Sequence, residues 1–110
     1  MPYALLELPM QSVKHIVMWN LRGDNEQERS ANIHKVKSEF EGIRDQIPGL
    51  MQLEIGVDIS QIDYACDVVL YSEFESLQAL QAYASHPAHL RVREALGNLR
   101  TDRYQVDYVS

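Results

Sequence analysis

The sequence predicts an α+β fold with the element order β-α-β-β-α-β, in which helices cover one side of a four-stranded antiparallel sheet. Three observations carry this reading. Apolar side chains on both faces of Val13–Leu21, and alternation along 50–59 and 104–109, mark strands rather than helices. Ile33, Val36, Phe40, Ile43 and Ile47 recur at steps of three and four, as one buried helical stripe does. A second stripe, Leu77, Leu80, Tyr83 and Ala84, resumes as His89, Val92, Leu96 and Leu99 after an interruption at His86-Pro87.

Taken in order, the first strand places His15, Val17 and Trp19 on one face and Ile16 and Met18 on the other. A strand covered on both sides is a central one. Arg22-Gly23-Asp24-Asn25 is a turn, and Asp24 with Gln27 has the spacing of a capping box for a helix over 26–47. His34, Lys35, Lys37 and Arg44 fall off its stripe as a solvated face, and Pro48-Gly49 stops it. In the strand 50–59, Met51, Leu53, Ile55, Val57 and Ile59 point one way; Gln52, Glu54, Gly56 and Asp58 point the other. A loop over 60–65 leads to a strand over 66–74. The broken helical pair begins at Ser76, and Pro87 suits the first position of its second half. The pair ends near Gly97-Asn98, and the last strand, 104–109, sets Tyr104, Val106 and Tyr108 on one face.

This order is the split βαβ, or ferredoxin-like, arrangement. Its helices lie on one side of the sheet, so the other side is left open, here with apolar residues from several strands. A second copy of the same sheet is the simplest cover, which predicts a homodimer formed through the sheet faces, a dimeric α/β barrel.

With 110 residues, 45% hydrophobic and 24% charged, the chain fits one folded domain, 13–110, preceded by an arm over 1–12. The arm is apolar in places but is no export signal: it lacks a basic start, Glu7 interrupts it, and Pro2 and Pro9 bracket it. No apolar run is long enough to cross a membrane. The net charge of −6, with no cluster of basic and aromatic residues, excludes nucleic acid as an expected partner. One cysteine, Cys66, rules out an internal disulfide and a cysteine-rich zinc site, and fits a cytoplasmic location.

The chemistry-bearing stretch is Tyr83-Ala84-Ser85-His86-Pro87-Ala88-His89. It puts a phenol and two imidazoles beside a helix break, with Tyr83 and His89 on inward stripes. As an acid–base site, His89 takes a proton α to a carbonyl, Tyr83 steadies the carbonyl oxygen, and His15 completes the pocket from the first strand. The structural alternative, preferred on the residues alone, has Tyr83 and His89 bonding each other or nearby backbone carbonyls across the break. A third reading is a pocket that holds a small apolar or aromatic ligand without turnover, walled by Trp19, Val68 and Leu70 with His86 at its edge. His86 and His89 are three apart, but Pro87 holds His86 outside the helix and no third ligand is near in sequence. Neither a metal nor a cofactor is expected.

Several segments together carry a family resemblance: Val13-Lys14-His15-Ile16-Val17, Ile47-Pro48-Gly49, Ser72-Glu73-Phe74-Glu75-Ser76, the Tyr83–His89 stretch, and the closing Val106-Asp107-Tyr108. In this order, over residues 13 to 109, the chain resembles the stress-responsive dimeric A/B-barrel (Dabb) family, of the dimeric α+β barrel superfamily. The resemblance implies a ferredoxin-like unit dimerised through its sheets and a stress-linked role, mostly with no assigned activity. It also implies a cyclase or lyase chemistry on β-keto or polyketide-like compounds. A plant cyclase of the family uses a histidine base and a pocket tyrosine, and His89 and Tyr83 match them by motif position. His15 matches a further pocket histidine, and His86 is the other histidine of the His-Pro-x-His pattern. Where that cyclase carries one more pocket histidine, this chain has Val68.

Overall fold

The computed structural model describes residues 11–109. Of the expected arm, all but Gln11 and Ser12 lies outside the described residues. The elements are β1 (Val13–Leu21), α1 (Glu26–Glu41), a short 3-10 turn (Arg44–Gln46), β2 (Leu50–Val57), β3 (Val68–Phe74), α2 (Leu77–Ala84), α3 (Pro87–Leu96) and β4 (Arg100–Val109). The sheet order is β2-β3-β1-β4 with every pair antiparallel, which is the ferredoxin-like topology.

β1 and β3 occupy the middle of the sheet, and their alternation separates two environments. Val13, His15, Val17, Trp19 and Leu21 of β1, with Val68, Leu70, Ser72 and Phe74 of β3, are buried beneath the helices. Leu53 and Ile55 extend this layer into β2. Val36 and Phe40 of α1, with Leu80, Tyr83, Ala88, Val92 and Leu96 of the broken pair, close the core from above. Ser72, polar at a core position, is satisfied by donating its hydroxyl to the His15 carbonyl at 2.8 Å. The opposite sheet face carries Ile16 and Met18 of β1, Val69 and Tyr71 of β3, and Tyr104, Val106 and Tyr108 of β4. Register sets Met18 beside Tyr104 and Ile16 beside Val106. Met18, Tyr104, Val106 and Tyr108 are exposed.

The elements differ from the sequence expectation in six places, each for a local reason. The N-cap of α1 is Asn25, whose Oδ1 accepts the Glu28 N–H at 2.8 Å; Glu28 in turn accepts the Asp24 N–H at 2.9 Å. The arrangement resembles a capping box set one residue later than Asp24 and Gln27, with Glu28 reaching the N–H just before the cap. α1 stops at Glu41 rather than running to residue 47, because Gly42 ends it and Ile43 N–H turns to Phe40 O at 3.2 Å. The tighter turn still delivers Ile43 and Ile47 to the core. In β2 the register shifts between Leu50 and Gln52, so Met51 is an extra residue turned to solvent. The strand ends at Val57, where Asp58 accepts from Ser60 Oγ and Gln61 N–H and turns the chain; Ile59 is exposed beyond it. β3 begins at Val68 rather than residue 66, since Asp67 caps the edge of β1 by accepting the Leu21 N–H at 2.8 Å. β4 starts at Arg100 rather than residue 104: cross-strand pairing with Leu21 extends it through a polar stretch with no strand pattern of its own.

The break at Pro87 is as expected. α2 and α3 are separate, and His86 between them has φ −67° and ψ 138°, extended geometry imposed by the following proline. Gly49, at the foot of the sheet, has φ +81°, and a Cβ there would lie 2.6 Å from the Ala79 methyl. Gly49→Ala therefore meets both backbone strain and a clash with α2. The expected cost is about 1–3 kcal/mol, read as a lower denaturant midpoint at unchanged slope. A variant matching the parent in denaturant unfolding would show that α2 sits elsewhere in solution.

Candidate functional site

The helix break builds the site. Pro87 ends α2 and starts α3, and His86 closes the corner by accepting the Ala88 N–H on its Nδ1 at 3.0 Å. Two side chains are thereby brought ring to ring: Tyr83 from the last turn of α2 and His89 from the first turn of α3, centroids 4.3 Å apart. Beneath them β1 presents His15, whose ring lies 6.2 Å from that of Tyr83. The three line a cavity of about 220 Å³ between the sheet and the broken helix, with Val17, Trp19 and Leu70 as its floor.

Tyr83 is 3% exposed, and its hydroxyl is fully buried with no hydrogen-bond partner. Burial pushes its pKa well above the usual phenol range, so it stays a neutral O–H donor. An unpaired buried hydroxyl is costly, and its presence calls for a reason. His15 Nδ1 lies 2.6 Å from Asp107 Oδ1 on the neighbouring β4. A carboxylate only accepts, so Nδ1 carries the proton and Nε2 is left for the cavity side of the ring. His89 Nδ1 lies 3.2 Å from the Ala84 carbonyl, which again fixes the proton on Nδ1 and leaves Nε2 with its lone pair. Burial is the main cause lowering the His89 pKa; Arg93, Arg100 and His15 add to it, and the Ala84 carbonyl opposes it. His89 is thus a neutral base at neutral pH.

The residues predicted from sequence divide accordingly. Tyr83, His89, His15, Trp19 and Leu70 meet at one cavity. His86 does not: it is spent as the cap of α3. Val68, at the start of β3 and two residues before Leu70, is not among the cavity's lining; it lies on a separate groove with Met18, Cys66 and Tyr104. Of the hydrogen bonds foreseen across the break, His89 makes one to a backbone carbonyl, whereas Tyr83 and His89 do not bond each other. Cys66 is a half-buried free thiol whose pKa is raised, first by burial and then by Asp67, Asp102 and Asp58, so it is no nucleophile.

Sequence reasoning missed three arginines, Arg93, Arg100 and Arg103, which also line the cavity. Arg93 lies four residues after His89, one helical turn along the same face, and that spacing was the available signal. Arg100 and Arg103 precede the point where strand alternation becomes visible. The Arg100 guanidinium sits 4.8 Å from the centroid of Trp19, which itself stacks on Phe40 at 5.3 Å.

Comparison with known proteins agrees with this architecture. The family model for the stress-responsive A/B barrel domain (Dabb) matches residues 13–110. The chain belongs to that family. Among solved structures, a dimeric ferredoxin-like protein of unknown function from Bacteroides fragilis is 30% identical, with a TM-score of 0.80, covering 90% of this chain and 96% of the other. A Dabb protein from Mesorhizobium loti is 25% identical with a TM-score of 0.67, over 91% of this chain and 97% of its own. A hydroxynitrile lyase from Passiflora edulis has a TM-score of 0.76 over 93% of this chain and 95% of its own; at 15% identity it shares the fold. No match was found among curated proteins. Among the described residues, no helix is long and apolar enough to cross a membrane.

The unpaired phenol allows a direct check on the Dabb site. Tyr83→Phe removes a buried hydroxyl that bonds nothing, so its thermal midpoint should equal or exceed that of the parent. Relief of an unmet donor is worth about 1 kcal/mol, or several degrees in a domain of this size. A clear fall in the midpoint would mean that the hydroxyl is bonded in solution and holds the corner together.

Proposed function

We propose that this Dabb protein is a cytoplasmic homodimer whose subunits each carry a small-molecule pocket, and that Tyr83 and His89 there perform cofactor-independent acid–base chemistry on a carbonyl compound. The observation that carries the proposal is the buried, unpartnered Tyr83 hydroxyl in a cavity shared with His89 and His15. A donor kept neutral and dry is suited to a substrate oxygen that gains charge during reaction. With the substrate carbonyl accepting from Tyr83, His89 Nε2 takes the α proton. The C–H electron pair passes into the carbonyl to give an enolate, whose oxygen Tyr83 stabilises. The enolate then attacks a second carbonyl, as a cyclase requires, or expels a leaving group, as a lyase does. The His15–Asp107 pair holds a second imidazole in a fixed tautomer at the far side of the phenol.

Binding without turnover is the second reading. It is favoured by the partner of His89, a neutral carbonyl rather than a carboxylate, which gives the imidazolium less stabilisation than an acidic partner would. The dimer rests on the apolar open sheet face, on the Bacteroides fragilis relative being described as dimeric, and on the small size of the domain. The cytoplasmic location rests on the single, unpaired cysteine.

Two measurements test the proposal. Sedimentation at micromolar concentration should give twice the chain mass, and Val106→Lys, which puts a charge among the apolar residues of the open face, should yield monomer; a monomeric parent would refute the assembly. For the chemistry, loss of α-proton NMR signals in D2O across a panel of methyl ketones and β-keto thioesters reports enolisation. His89→Ala should slow it by about 10²–10⁴-fold, with the fold retained. Because the base form is the neutral imidazole and its pKa is lowered, kcat/KM should fall on the acid side only below the ordinary histidine range. A panel bound but never exchanged would leave the pocket a binding site and defeat the catalytic reading.

A further inference from the structure

The three arginines have no role in the acid–base scheme, and their arrangement is unusual for an acidic chain. Acidic residues outnumber basic ones by 16 to 10, yet Arg93, Arg100 and Arg103 converge on one small cavity. Among the described residues, neither Arg93 nor Arg100 makes an ion pair or a side-chain hydrogen bond. Arg103 donates to Gln105. Asp107, the acidic group that reaches the site, is held by His15. Arg100 is half-buried and braced by Trp19 and Phe40, so its fork is held in place without an acceptor to satisfy it. The hydroxyl of Tyr83, which lines the same cavity, is likewise unmet.

We propose that the pocket selects a small carboxylate that also bears a carbonyl, an oxo acid, with Arg100 and Arg93 taking the carboxylate and Tyr83 the carbonyl oxygen. This deepens the proposed function and rests on it for the role of Tyr83. The donors match the ligand in number and kind: planar forks pair a carboxylate through two parallel bonds, whereas a single O–H suits a carbonyl. Size fits as well. A cavity of about 220 Å³ holds the equivalent of about seven waters, at roughly 30 Å³ each, which is room for a short oxo acid. The cationic lining also gives an acidic protein a local attraction for an anionic substrate that its net charge would otherwise repel.

The test compares charged probes with uncharged near-isosteres. Dissociation constants of 2-oxobutanoate, phenylglyoxylate and benzoate are measured by NMR titration against those of the corresponding amides, with inorganic phosphate as a further probe. The expected result is that an oxo acid binds at least tenfold more tightly than its amide and more tightly than benzoate, and that its affinity falls as salt is raised. Arg93→Gln and Arg100→Gln should each remove most of that preference while leaving amide binding unchanged. Arg93 is exposed, so its variant keeps the test valid should loss of the Arg100 stack destabilise the fold. Equal binding of acid and amide, a preference that survives both substitutions, stronger binding of phosphate, or no binding of any carboxylate would each overturn the inference. The two readings fail separately. Arginine-dependent oxo-acid binding with no proton exchange defeats the catalytic proposal alone. Exchange on neutral ketones with no preference for charge defeats this one alone.

Discussion

The site depends on one covalent constraint, the pyrrolidine ring of Pro87. It withholds a backbone N–H and forces His86 out of helical geometry, so a single helix cannot run from Leu77 to Leu96. Two shorter helices result, and their junction places the last turn of one against the first turn of the next. Tyr83 and His89 are neighbours for that reason, and the Ala84 carbonyl freed at the break supplies the acceptor that fixes the His89 tautomer. A continuous helix would spend that carbonyl on its own ladder and carry the imidazole past the phenol.

The phenol shows how stability and function pull apart. Three polar side chains near it have partners: Ser72 a carbonyl, His15 Asp107, and His86 a backbone N–H. Among the described residues, only the Tyr83 hydroxyl is a fully buried side-chain polar group with no hydrogen-bond partner. A core evolved for stability alone would carry phenylalanine there, as the adjacent Phe74 does.

How much could be read in advance follows from which signals are local. The ferredoxin-like order, the helix break and the approach of Tyr83 to His89 rest on periodicity or on residues close in sequence, whereas the family and the place of His15 in the pocket came with the resemblance. What eluded the sequence was set by pairing between distant segments. The bulge at Met51 and the early start of β4 at Arg100 are imposed by strands far away in the chain. The arginines were missed with β4, because a polar run that pairs with Leu21 looks like a loop until its partner is known. The Asp107–His15 contact spans 92 positions and leaves no trace in either local sequence. His86 and Val68 were misplaced differently: a histidine beside a proline serves as readily as a cap, and one strand reaches more than one cavity.

From Arg103 onward β4 divides its labour by parity; before it, a register shift opposite Trp19 and Leu21 brings the even-numbered Arg100 to the cavity as well. Its odd-numbered residues Arg103 and Asp107 turn toward the cavity and His15, while the even-numbered Tyr104, Val106 and Tyr108 form the apolar open face. A one-residue insertion or deletion before Arg103 would exchange the two sets, sending tyrosines to the cavity and charges to the proposed subunit interface. The existing register shift between Arg100 and Arg103 is the place where a change of length within the strand would be absorbed. The cavity-lining and open-face surfaces of this strand are therefore bound to drift together.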